Sequence, residues 1–298
     1  MAVRPRLACE IAPDGILAAG SAAMDAPLGA AVFMPLRDPI SAGLTSPVFS
    51  NPEAVLAALK GALDAVDSKA SDWTVVLPDA CTRVLLLDFD TLPTKPQEVL
   101  PLVRFRLRRM VPFDIDTAAV SYQLLKPAGA AGSAGPVQVI AAAMPAEVRS
   151  EIESLVRSTD REPGILLPAT LAALAAVPES GSHLLVHTGA QSMTTAITRN
   201  GELLLYRRTE HNEAEPGEMA QAVLVAAAYF EDTLHTPLQE VWVAGLETPE
   251  VLRAHLEVDG AWEIPLRSLV ASDSFSAAGV PSQMSPSRFT SIVGALRG

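Results

Sequence analysis

Hydrophobic positions along the chain follow two rhythms that take turns. Alternating or unbroken apolar runs predict strands at residues 7–11, 15–19, 30–36, 73–77, 84–89, 120–125, 137–144 and 165–167. Between them, apolar residues three and four apart predict helices. Val55, Leu56, Leu59, Leu63 and Val66 form one such stripe, behind an Asn51 N-cap and Pro52 at the first helical position. Residues 99–110 carry Leu100, Val103, Leu107 and Met110, and residues 145–158 carry Val148, Ile152, Leu155 and Val156. An Ala/Leu helix at 168–177 ends at a polar break, 178–182. Beyond the break, strands are predicted at 183–188, 193–198, 202–207, 240–244 and 262–266, and helices at 219–234, 249–256 and 287–296. The Gly/Ala/Ser-rich stretch 127–136 and the polar stretches 210–218 and 268–286 read as loops.

Both sides of the break open with strand, turn and strand. Pro13-Asp14-Gly15 closes the first turn and Gly189-Ala190-Gln191-Ser192 the second; Asn200-Gly201 then makes a tight hairpin. Strands alternating with helices in two related halves predict an α/β protein of two lobes.

Composition narrows the function classes. A chain of 298 residues supports a sizeable core. Its net charge of -12 gives it nothing to gain from counterion release on DNA, and 5% aromatic residues leave little for base stacking. Nucleic acid is therefore set aside as a partner. Cys9 and Cys81 lie in apolar runs with neither metal-ligand nor disulfide spacing and read as free core thiols of a reducing compartment. No apolar run reaches the roughly 18 residues of a membrane-spanning helix. The expectation is a cytoplasmic protein that meets a membrane through a partner. His211, His235 and His255 have no metal spacing, and no nucleophile-elbow motif is present.

Against the acidic background, Arg104, Arg106, Arg108 and Arg109 form a basic cluster on the 99–110 helix. Arg104 and Arg108 share one face, four residues apart. That face suits anionic headgroups or an acidic partner, or is simply solvated. Phe289, Ile292, Val293 and Leu296 lie at helical spacing near the C-terminus; a core-facing helix is expected in preference to an interfacial membrane helix.

Three segments in order carry a family resemblance: RVLLLDFDTLP, then LVRFRLRRMVPFDIDTAAVSYQLL, then VQVIAAAMPAEVRSEIESL. They resemble the inserted subdomain of PilM-type pilus assembly proteins, with Val111-Pro112-Phe113-Asp114 at the position of that family's Pro-Phe break. HLLVHTGAQSMTTAITRNGELLLYRR, VWVAGLETPEVLRAHL and SPSRFTSIVGALRG resemble the second-lobe hairpin, the adenosine-side turn and the closing helix. The resemblance implies a two-lobed actin-like (ASKHA) α/β fold with an inserted α/β subdomain in the first lobe. Residues 1–78 and 159–178 would form the first lobe, 79–158 the insert, and 179–298 the second lobe with a reduced outer subdomain. It also implies a scaffold of the type IV pilus inner-membrane platform, peripherally associated with that membrane. Such a scaffold binds the N-terminal cytoplasmic tail of a bitopic PilN-type membrane protein, with pilus motor ATPases and self-association as further expected contacts. Fold alone licenses none of this.

The resemblance further implies a nucleotide cleft whose turns cradle phosphate and hold Mg²⁺ through carboxylates. Here those turns depart from the pattern. Glu10 replaces Asp, Ala12 replaces Gly, and Pro13 removes an N–H ahead of Gly15. His187 stands where the second turn carries Asp, although Gly189, Gln191 and Ser192 persist, and Gly245 is one glycine where two are usual. Imidazole suits a hard cation poorly. A pseudo-ATPase with no resident cofactor is expected, His187 being a hydrogen-bonded interface residue. Two alternatives stand beside it: an ATP-binding, Mg²⁺-dependent ATPase, and an actin-like component of a type II secretion platform. The latter family usually continues into a transmembrane helix that is not seen before Gly298. Partner contacts are assigned to Arg104, Arg108, Pro112 and Phe113.

Overall fold

The computed structural model describes residues 6–23, 26–67, 69–125, 137–190, 192–210, 216–257, 262–275 and 284–297. Their strands build two five-stranded sheets of matching plan and one small antiparallel sheet. In the first, β1 (Leu7–Ala12), β2 (Gly15–Ser21) and β3 (Leu28–Pro35) form an antiparallel meander, and β4 (Asp72–Leu77) and β8 (Glu162–Pro168) add in parallel, giving the order β3-β2-β1-β4-β8. In the other, β9 (Ser182–Thr188), β10 (Ser192–Arg199) and β11 (Glu202–Glu210) repeat the meander, and β12 (Val241–Gly245) and β13 (Leu266–Ser268) repeat the parallel additions. Parallel neighbours require crossovers. Helix α1 (Pro52–Asp67) supplies the one before β4, and α5 (Pro216–Leu234) the one before β12.

Between β4 and β8 the chain makes a detour. Strands β5 (Arg83–Phe89), β6 (Ala119–Leu124) and β7 (Val137–Met144) pair in the order β5-β7-β6, and α2 (Pro96–Leu107) covers one face. Val99, Val103 and Leu107 of α2 pack with Leu87, Ile115 and Val139 in a core separate from those of the large sheets. Helix α3 (Ala146–Arg157) returns to the first sheet, and Val148, Ile152, Leu155 and Val156 join its core, the stripe anticipated above.

The predicted elements recur with shifted ends. Helix α2 runs three residues earlier, because Pro96 seats the first turn, and residues 108–110 are turn. The strand anticipated at 262–266 falls instead at β13: Leu266 pairs with Val241, while Trp262 is buried in the core of the second lobe and its carbonyl accepts from Arg253 Nη1 at 3.0 Å. Helix α6 (Pro249–Leu256) is capped by Thr248. The loop at 127–136 lies outside the described residues.

Helix α7 (Thr290–Arg297) is buried from Thr290 to Leu296 and packs on α4 (Ala169–Leu174) and β1. It is a core helix, as its spacing suggested. Gly294 permits the contact, since a Cβ there would stand 1.9 Å from the Ala172 carbonyl oxygen. No helix among the described residues is long and apolar enough to cross a membrane.

Candidate functional site

Two of the concavities at the first lobe bear on function. The first, about 860 Å³, lies where the β1–β2 hairpin faces the β9–β10 hairpin across the lobe boundary. Matching sheet plans place these turns opposite each other, so residues some 180 positions apart share one cleft. Glu10, Ala12, His187, Gly189, Ser192 and Gly245 all line it. Gly15 sits behind it, packed so tightly that a Cβ would lie 2.5 Å from the Met34 carbonyl oxygen. Gln191 lies outside the described residues.

The polar groups of these turns are engaged with one another. Asp14 holds Arg288 through two hydrogen bonds, Nη2 to Oδ1 at 2.7 Å and Nη1 to Oδ2 at 2.9 Å, and Arg288 also lies over the Phe33 ring. The Gly189 N–H donates to the Ser192 carbonyl at 2.7 Å. Gly245, at φ +93°, lets β12 turn against β9; Leu246 N–H then donates to the Thr188 carbonyl at 3.0 Å and Glu247 N–H to Thr188 Oγ1 at 2.8 Å.

A residue not singled out from the sequence sits at the centre. Asp79 follows β4 and is buried between the lobes. Its Oδ1 accepts from the Thr170 N–H at 3.0 Å and the Tyr206 hydroxyl at 3.4 Å; its Oδ2 accepts from the Thr170 hydroxyl and, at 3.0 Å, the Thr194 hydroxyl. His187 Nδ1 is 3.6 Å from Asp79 Oδ2, and its Nε2 shares a 3.1 Å hydrogen bond with Ser291. Burial holds the His187 pKa below its ordinary value, with Asp79 opposing. His187 is thus a hydrogen-bonded interface residue. The one available sequence signal for Asp79 was a lone carboxylate at the end of an apolar strand, and it carries no motif.

Glu10 is different. It is buried in the cleft wall, and its Oε2 has no hydrogen-bond partner. Burial pushes its pKa up to about 8, with Arg288 opposing and Asp79 and Asp14 adding to the rise. An ATP–Mg²⁺ group of the kind the sequence resemblance implies needs free oxygens and turn N–H donors. Here the Asp79 oxygens are saturated by donors, Glu10 holds its proton at neutral pH, and an Arg288–Asp14 pair occupies the first turn. Among the described residues, no group of three or more His, Cys, Asp or Glu side chains is placed to hold a metal ion. These residues do not fit that group.

The second concavity, about 890 Å³, separates the insert from the first lobe. Two sheet edges border it: β6 ends the small sheet and β8 ends the first large sheet. Val120, Leu166 and Leu171 supply apolar wall, and Arg149, Glu153 and Arg157 of α3 supply a charged rim. Glu153 binds both arginines, Arg149 Nε at 2.6 Å and Arg157 Nη1 at 3.2 Å.

Of the residues assigned to partner contact, Arg104 lines this groove. Its guanidinium donates to the carbonyls of Ile115 and, at 3.0 Å, Ala118, which fixes the 111–118 turn against α2. Arg108 is placed elsewhere on the insert, paired with Asp116 at 2.7 Å. Pro112 is exposed, and Phe113 is half-buried against the insert core. The structure therefore does not gather the four at one place. The groove-lining Leu166, Leu171 and Arg149 were not anticipated, because nothing in the sequence announces that two strand edges will face one another.

Two five-stranded sheets of the same plan, a cleft between their hairpins and an insert ahead of β8 define a two-lobed actin-like protein. No protein-family model matches the chain, and no curated protein matches it. Among solved structures, a chain of a PilM-PilN type IV pilus biogenesis complex aligns with a TM-score of 0.70 at 17% identity, over 98% of this chain and 99% of that one. A Bacteroides thetaiotaomicron VPI-5482 protein with an actin-like ATPase fold aligns with a TM-score of 0.54 at 11% identity, over 97% of this chain and 94% of that one. The cytoplasmic domain of EpsL, an inner membrane component of the Vibrio cholerae type II secretion system, gives 0.53 at 11% identity over 98% and 94%. At these identities the likeness establishes the fold.

Proposed function

We propose that this chain is an actin-like scaffold of a type IV pilus inner-membrane platform. It works from the cytoplasmic face and holds the N-terminal tail of a bitopic PilN-type membrane protein, without hydrolysing ATP. The groove between β6 and β8 carries this reading. Strand edges present unpaired N–H and C=O groups, so an extended tail is held by its backbone and read by the side-chain pockets it crosses. The apolar wall favours a tail with apolar residues, while the α3 arginines are already paired with Glu153. The pilus assignment is preferred to a secretion platform because the PilM-PilN chain aligns with a TM-score of 0.70 against 0.53 for EpsL.

The test is binding of synthetic N-terminal tail peptides from candidate bitopic membrane proteins, followed by calorimetry. Ser150 lies exposed on α3 in the groove wall. Ser150→Trp should fill the groove and weaken binding about 10-fold, a loss of about 1.4 kcal/mol, with an unchanged melting temperature. Equal affinity for wild type and variant would place the tail elsewhere.

A further inference from the structure

The outer face of α2 is built for a different contact. Leu102, Phe105 and Met110 are 39%, 73% and 47% exposed, and Phe105 is the most exposed large apolar side chain of the described residues. Leu102, Phe105, Arg106 and Arg109 fall at i, i+3, i+4 and i+7, one stripe along the helix and its final turn, on the side away from buried Val103 and Leu107. In a chain of net charge -12, residues 96–110 hold four arginines and one glutamate.

Among the described residues, the ion pairs around this helix leave three arginines without a carboxylate, one of them held by backbone carbonyls. Arg108 is neutralised by Asp116, and Glu98 by Lys95 at 3.4 Å. Arg104 is committed to the carbonyls of Ile115 and Ala118. Arg106 donates only to the Asp88 backbone carbonyl, at 3.0 Å, and lies over the Phe89 ring at 5.7 Å. Arg109 has no carboxylate partner among the described residues. Two arginines free of carboxylates thus flank a protruding phenylalanine.

We infer that this face is a docking surface for an anionic lipid bilayer, with Phe105 and Leu102 entering the acyl boundary and Arg106 and Arg109 contacting headgroups. The stripe runs along the exposed side of a single helix, which suits a plane better than an extended peptide. Apolar side chains bracketed by cations are what an interfacial helix needs. The rest of the acidic chain is repelled by such a surface, so the attraction orients the molecule with α2 toward the bilayer. The inference does not depend on tail capture.

The experiment uses the full chain alone with vesicles, so its failure is separate from failure of the peptide assay. Sedimentation with phosphatidylcholine vesicles containing about 30% phosphatidylglycerol should capture the protein, and pure phosphatidylcholine vesicles should not. Arg106→Glu combined with Arg109→Glu should weaken binding about 10-fold, as should Phe105→Ser, each with an unchanged circular dichroism spectrum. Phe105→Trp should retain binding, and its emission should shift to the blue on anionic vesicles alone. Equal binding to both vesicle types would reduce the contact to apolar adsorption and overturn the proposal. So would variants that bind vesicles like wild type, or variants that lose only the tail peptide, which would make the face a protein contact.

Discussion

Glu10 changes state between the unfolded and the folded chain. Its carboxyl titrates near 4.5 when exposed and is pushed up to about 8 in the cleft wall. The folded state therefore binds its proton more tightly. The stabilisation is fully present below pH 4.5 and is lost as pH rises from there to about 8. His187 runs the other way: its pKa lies below 6.5, so its contribution is present above 6.5 and lost as pH falls. Glu10→Gln should remove the decline on the alkaline side. At pH 8.5 the variant should be more stable than wild type by on the order of 2 kcal/mol, measured by urea denaturation at pH 5 and pH 8.5. A parallel decline in both proteins would place the titrating group elsewhere. Reading Glu10 as a substituted metal ligand was open to the sequence, since the type change stands in a recognisable turn. Its protonation was not, because it depends on burial and on Arg288, 278 positions away.

At the scale of elements, two contacts hold the molecule's joints. Helix α7 reaches α4 only because Gly294 carries no side chain. Gly294→Ala drives a methyl into backbone, which cannot rotate aside. It should cost about 2–4 kcal/mol and lower the melting temperature accordingly. In the insert, Arg104 ties the 111–118 turn to α2. Arg104→Ala strands two carbonyls and should cost about 2 kcal/mol in urea denaturation, and lysine should rescue little, having no fork to span both. Element type was legible wherever periodicity was strong: the α1, α3 and α7 stripes all face cores. The strand anticipated at 262–266 was displaced because an apolar run with Trp262 suits strand and core loop equally. Pairing with β12 decides between them.

For the whole molecule, the cleft and the groove make opposite demands. At the cleft, Asp79 collects donors from α4, β10 and β11 and thereby fastens the first lobe to the second. Addition of MgATP should raise the melting temperature by less than about 1 °C, consistent with weak or no binding. A large Mg²⁺-dependent rise in a thermal-shift assay would contradict the pseudo-ATPase reading.

The sequence by itself determined the order of elements, the two related halves and the residue types at the turns. Each of these is local: a period, a turn residue or a residue type at a short spacing. Tertiary structure alone decided which turns face each other, that Asp79 anchors the joint, that Arg104 serves its own backbone, and that the edges of β6 and β8 border one groove. Those facts depend on positions up to about 180 residues apart in the sequence sharing one site. The free energy that selects them is burial and hydrogen-bond satisfaction summed over packed elements, which no short window of sequence contains.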